Sequence, residues 1–181
     1  MPDSSLSGLR QLMASLDRER RPQADETTAG FLGTGHPDLD RAIGGGLARG
    51  ALHELFAAGA ADAGALRGAA IAIAALASSG GRPVLWITQG MVAREAGAPH
   101  APGLALMGCD PDRLVLVAAA DTPALLKAAN DAARSPVLGA IVAEAWGRHA
   151  ALDLTATRRL TLAARGSGAL VVLVRLGAEP A

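Results

Sequence analysis

Gly59 and Gly64 stand at the spacing of a G-x-x-x-x-G-K-[ST] phosphate loop, in the run Gly59-Ala60-Ala61-Asp62-Ala63-Gly64-Ala65-Leu66. In a working loop the lysine neutralises the outer phosphates and the hydroxyl helps to hold magnesium. Ala65 stands at the lysine position and Leu66 at the hydroxyl position, and neither can do that work. Asp62 adds a negative charge where phosphate has to lie. Backbone N–H groups at a helix start attract an anion, but weakly on their own. Arg67 follows, with no reach that the sequence alone establishes. A plain strand–helix turn in an Ala- and Gly-rich chain has the same letters, so the two glycines alone decide little.

The other reactive residue types are scattered. Cys109 is the single cysteine, which leaves no intrachain disulfide and no thiolate cluster. His36, His53, His100 and His149 lie far apart, without metal-ligand spacing. His53 and Trp86 fall inside apolar strands and read as structural residues. Ser78, Ser79 and Ser167 have no nucleophile-elbow setting. The expectation is a protein with no catalytic residue, no cofactor and no metal.

Strands and helices alternate along the chain. The predicted strands are 51–56, 83–88, 114–117, 139–144 and 169–174, and the first of them precedes the loop. Helices are predicted after Pro37 and over 65–77, 90–95, 123–134 and 154–165. Gly44, Gly45 and Gly46 stop the first of these, and 96–113 reads as a connection through Leu104 and Met107. Unbroken apolar strands alternating with helices predict an α/β fold, a mostly parallel sheet with helices on both faces. Ligands in such folds meet the carboxyl ends of the strands. Half of the residues are hydrophobic, with only two Phe, two Trp and no Tyr, so the core is built from Ala, Leu, Val and Ile. The 17 basic and 17 acidic residues cancel, so no global field draws in nucleic acid, and direct DNA contact is expected to be weak or indirect. No signal core or membrane span is apparent, which predicts a cytoplasmic protein.

The run from Gly33 to Phe56 resembles the entry to the core of RecA-type recombinases: T-G at Thr34-Gly35, L-D at Leu39-Asp40, a glycine run, L-x-x-G, and a strand carrying Glu54. Gly139–Glu144 is similar to the second nucleotide motif, with Glu144 in place of the usual aspartate. Thr88, Gln89 and Gly90 occupy the region of the water-activating acid. The sequence resembles the ImuA family more closely, the RecA-like proteins of bacterial inducible mutagenesis cassettes. LDRAIGGGLARGALHELFA, VLWITQ, APGLALMGCDPDRLVLV, GAIVAEAWG and LDLTATRRLTLAARGSGALVVLVR carry that likeness over most of 33–175. The resemblance implies a RecA-like core with a degenerate phosphate loop. It also implies a non-catalytic role in translesion synthesis after DNA damage, beside a polymerase-like protein and an error-prone DNA polymerase, with RecA or a second copy of the chain as further partners. The family usually continues with a further tail after the fifth strand. Two alternatives stand beside this reading: the related RecA-like cell-division inhibitors, and a weak nucleotide-binding regulator.

Candidate interaction residues lie in three places. Leu6, Leu9, Met13 and Leu16 recur on one face of a helix predicted over 5–20, followed by a polar linker. Residues 1–30 are thus expected to form a helix and linker, and 31–181 the α/β domain. The stripe docks either on its own domain or on another protein. Trp146, just past the fourth strand, is either an exposed anchor or a cover for the end of the sheet. Arg158 and Arg159 form either a partner or phosphate contact or a solvated helix face. Asp153 and Thr155 are candidate caps for that helix.

Overall fold

The computed structural model describes residues 30–180. The expected N-terminal helix with Leu6, Leu9, Met13 and Leu16 lies outside the described residues. The chain opens with β1 (Phe31–Leu32) and β2 (Leu47–Ala48), an antiparallel pair flanking α1 (Pro37–Ala42). This ribbon was not predicted, because strands of two residues carry no periodicity to read. Pro37 opens α1, where its missing N–H costs nothing. The glycine run closes it as expected, with Gly44, Gly45 and Gly46 all at positive φ. Gly46 is also a close approach: a Cβ there would lie 2.5 Å from the Leu32 carbonyl oxygen. Only glycine lets β2 start beside β1.

The main sheet contains β3 (Leu52–Ala57), β4 (Val84–Gln89), β5 (Leu114–Ala119), β6 (Ala140–Trp146) and β7 (Leu170–Leu176). All its pairings are parallel, in the order β3-β7-β6-β4-β5. The central strands β6 and β7 are buried almost throughout, which is why they read as unbroken apolar runs.

Helices cover both faces. On one lie α2 (Ala63–Ala77), α3 (Gly90–Ala96) and α4 (Ala101–Leu106), packed on Trp86, Val142 and Val172. On the other lie α5 (Thr122–Ala132) and α6 (Leu154–Ser167), packed on Ile87, Ile141 and Val171. Ala70, Ala74 and Ala77 of α2 are wholly buried, so the small side chains expected from composition do bring helix onto sheet. Helix α4 is a correction to the predicted connection. Pro102 lies in its first turn and Gly103 follows, which hid the helical pattern. Asp153 caps α6 by accepting the Ala156 N–H at 2.8 Å, and Asp121 caps α5 through Ala124 in the same way.

Candidate functional site

The carboxyl ends of β4 and β6 meet the start of α2, and one buried cluster ties them together. The apolar strand β6 delivers Glu144 into the interior with no exposed surface. A buried carboxylate needs a cation and hydrogen bonds to stay charged. Arg67, one turn into α2, supplies both. Its Nε donates to Glu144 Oε1 at 2.6 Å and its Nη2 donates to Oε2 at 3.0 Å. This is the planar fork-on-carboxylate geometry that arginine provides and lysine does not. Thr88, at the end of β4, donates its hydroxyl to Oε2 at 2.9 Å. The Arg67 Nη1 donates to the Ala96 carbonyl at 2.6 Å, which ties the end of α3 to the same centre. Both carboxylate oxygens are thus occupied by the protein's own donors.

The neighbouring residues continue these ties. Gln89 Nε2 donates to Thr122 Oγ1 at 3.2 Å, while Gln89 Oε1 accepts the Trp146 backbone N–H at 2.9 Å. The Thr88-Gln89-Gly90 region, where a water-activating acid was sought, joins β4 to β6 and α5. Near the far edge of the sheet, Arg175 of β7 pairs with Glu54 of β3 at 3.1 Å and lies over the Phe56 ring, 5.4 Å from its centre.

The loop residues separate in space. Between β3 and α2 the chain makes a short 3-10 turn, Ala60–Asp62. Neither Gly59 nor Gly64 adopts positive φ. Gly64 and Ala65 are exposed in the first turn of α2, whereas Leu66 turns inward and packs on the core. The position of a metal-binding hydroxyl is therefore filled by an aliphatic core side chain. Asp62 is exposed and makes no side-chain cap.

Trp146 is partly buried and packs on the core, beside Gly177. Arg158 and Arg159 are exposed on α6, away from the Glu144 cluster. His53 is satisfied as expected, its Nε2 lying 2.9 Å from the Ala48 carbonyl oxygen. Trp86 is buried. Cys109 is buried, and desolvation raises its thiol pKa, which makes it a poor nucleophile. The T-G and L-D residues hold each other: the Thr34 backbone N–H and hydroxyl donate to Asp40 Oδ1 at 2.8 and 2.7 Å. Those bonds, the backbone one first, hold the Asp40 carboxyl below its usual range. Among the described residues no group of three or more His, Cys, Asp or Glu is placed to hold a metal. No helix among them is long and apolar enough to cross a membrane.

No family model matches the sequence. It is 38% identical over 152 residues to the protein ImuA of Caulobacter vibrioides, across 82% of this chain and 58% of that protein. This chain is an ImuA-like protein. It spans less than two thirds of the length of the curated relatives it matches. Among solved structures, the RadB recombinase aligns with a TM-score of 0.56 at 18% identity, over 81% of this chain and 70% of that one. That likeness shows the shared RecA-like fold. SulA from Pseudomonas aeruginosa aligns with a TM-score of 0.49 at 23% identity, over 69% of this chain and 97% of that one.

Sequence reasoning named Glu144 and Arg67 but did not join them. A signal was present: an acid closing a fully apolar strand requires a buried cation, and α2 carries a single basic residue, Arg67.

Proposed function

We propose that this ImuA-like chain is a non-catalytic, cytoplasmic accessory protein of damage-induced translesion synthesis. It acts through contacts with a polymerase-like protein and an error-prone DNA polymerase, and meets DNA indirectly or weakly. The observation that carries the non-catalytic part is the closed Arg67–Glu144–Thr88 cluster. The positive charge nearest in sequence to the phosphate-loop-like turn, Arg67, is spent on Glu144, and Glu144 has no oxygen left without a partner. Ala65 and Leu66 provide neither a phosphate clamp nor a metal ligand, so we read the turn as a degenerate phosphate loop. The translesion assignment is supported by the similarity to ImuA.

Two measurements test this reading. Purified protein with magnesium-ATP is expected to give no turnover and no saturable binding. Turnover abolished by Glu144→Ala would contradict it. Affinity-tagged protein recovered from DNA-damaged cells is expected to bring down a translesion polymerase and its polymerase-like companion. Their consistent absence from damaged cells overturns the assignment. Residues 1–30 are proposed as a docking segment ahead of the domain. Deleting residues 1–26 is expected to weaken self-association or partner binding while leaving the melting temperature of the core nearly unchanged.

A further inference from the structure

A cavity of about 320 Å³ lies between α2 and the segment from Ala98 to Met107. It is distinct from the Glu144 cluster, although the outer side of Arg67 forms part of its wall. Its volume falls at the small end of ligand pockets, which run from roughly 300 to 1,000 Å³.

One wall is a face of α2 on which two of the lining positions, Gly64 and Gly68, carry no side chain. Gly64 and Gly68 are one turn apart on α2 and both border the cavity. Glycine weakens a helix relative to alanine, so its presence calls for a reason. Close packing is not the reason: a Cβ built at either position meets nothing within 4 Å. Backbone conformation is not the reason either, since neither residue has positive φ. What the two glycines do is leave the space open.

The opposite wall is backed by an unsatisfied donor. Trp86 borders the cavity with 1% of its surface exposed, and its indole N–H has no hydrogen-bond partner among the described residues. Buried N–H groups are nearly always paired, because leaving one unpaired forfeits its solvation. The remaining polar lining comes from Arg67 and His100, and no carboxylate lines the cavity. Arg67 uses three N–H groups on Glu144 and Ala96. A guanidinium has five, so two remain. Ile71, Leu104 and Met107 make up much of the apolar lining. The site therefore offers donors and apolar walls and no carboxylate.

We propose that this cavity binds a small, flat, apolar molecule carrying a carboxylate or carbonyl oxygen, which accepts the Trp86 indole N–H. The chain has two tryptophans, so the indole region of a ¹H–¹⁵N spectrum contains two side-chain resonances, assigned with Trp146→Phe. The probe is 2-naphthoate, and the control is 2-naphthylmethylammonium, equally flat but of opposite charge. Naphthoate is expected to move the Trp86 resonance saturably, with a Kd on the order of 1 mM or tighter. The cation is expected to bind at least roughly tenfold more weakly, because a donor-lined site repels it. Gly68→Leu fills the cavity and is expected to abolish the shift, with an unfolding midpoint at or above that of the parent. Gly64→Leu provides the same arm independently. Trp86→Phe, followed on the ligand signals, is expected to weaken naphthoate binding by about tenfold through loss of the donor. No saturable shift up to the solubility limit of naphthoate overturns the proposal. So does equal binding of the cation, or undiminished binding in the folded glycine variants.

Discussion

Two arginine–glutamate pairs cross-link the sheet region, and their arginines are almost equally hidden: 13% of the side chain exposed for Arg67, 12% for Arg175. The carboxylates differ. Glu144 is fully buried, whereas Glu54 keeps 30% of its side chain in solvent. Glu144 is held by two bonds from Arg67 and one from Thr88, and Glu54 by Arg175 alone. An exposed acid falls back on water when its partner is removed. A buried acid has no such alternative, so its partners become obligatory. The Glu144 cluster is therefore a closed structural lock, and the Glu54 pair a looser tie across β3 and β7.

The largest expected effect comes from breaking the lock on one side. Arg67→Met is expected to cost about 3–5 kcal/mol in urea unfolding, because it strands a buried charge. Adding Glu144→Leu to that variant is expected to restore much of the loss. If Arg67→Met costs no more than Arg175→Met, the contrast between the two pairs is wrong. Next comes Thr88→Val, which keeps shape and removes one donor to Glu144. It is expected to cost about 1.5–3 kcal/mol, as hydrogen bonds to charged groups do. Glu54→Gln is expected to cost only about 0.5–1 kcal/mol, and less at high salt, because solvent and ions screen that pair. A cost for Glu54→Gln that does not change with salt would show that its pairing with Arg175 is as sheltered as the Glu144 lock.

The smallest effect extends the contrast to a half-buried carboxylate. Asp40 is held below its usual pKa by the Thr34 backbone N–H and then the hydroxyl. A depressed folded-state pKa stabilises the fold above the ordinary carboxylate value. That contribution disappears as pH falls through the lowered one. The stability gap between the parent and Thr34→Ala is expected to be present at neutral pH and to shrink in acid. A gap that stays constant across that range would show that the hydroxyl acts through packing instead.

Much of the architecture was legible because burial is written into residue type. β6 and β7 are apolar on both faces, and they sit at the centre of the sheet. The caps at Asp121 and Asp153 act through local geometry, and Asp153 could be named in advance. Helix α4 escaped because Pro102 and Gly103 lower helix propensity, and packing of Leu104 into the core overrides that. The burial of Trp146 was open in the sequence because exposure at the end of a strand depends on what surrounds it, here the end of β4 at Gln89 and the turn at Gly177.

The sequence by itself determined the strand–helix alternation, the Ala-built interface and the absence of lysine and hydroxyl after Gly64, since each depends on a residue's own size, charge or periodicity. The tertiary structure alone decided that Arg67 meets Glu144, 77 residues away. The meeting depends on α2 crossing the face of the sheet that places β6 under its first turn. Pairing of that kind follows from strand order and helix placement, neither of which has a local signature in the chain.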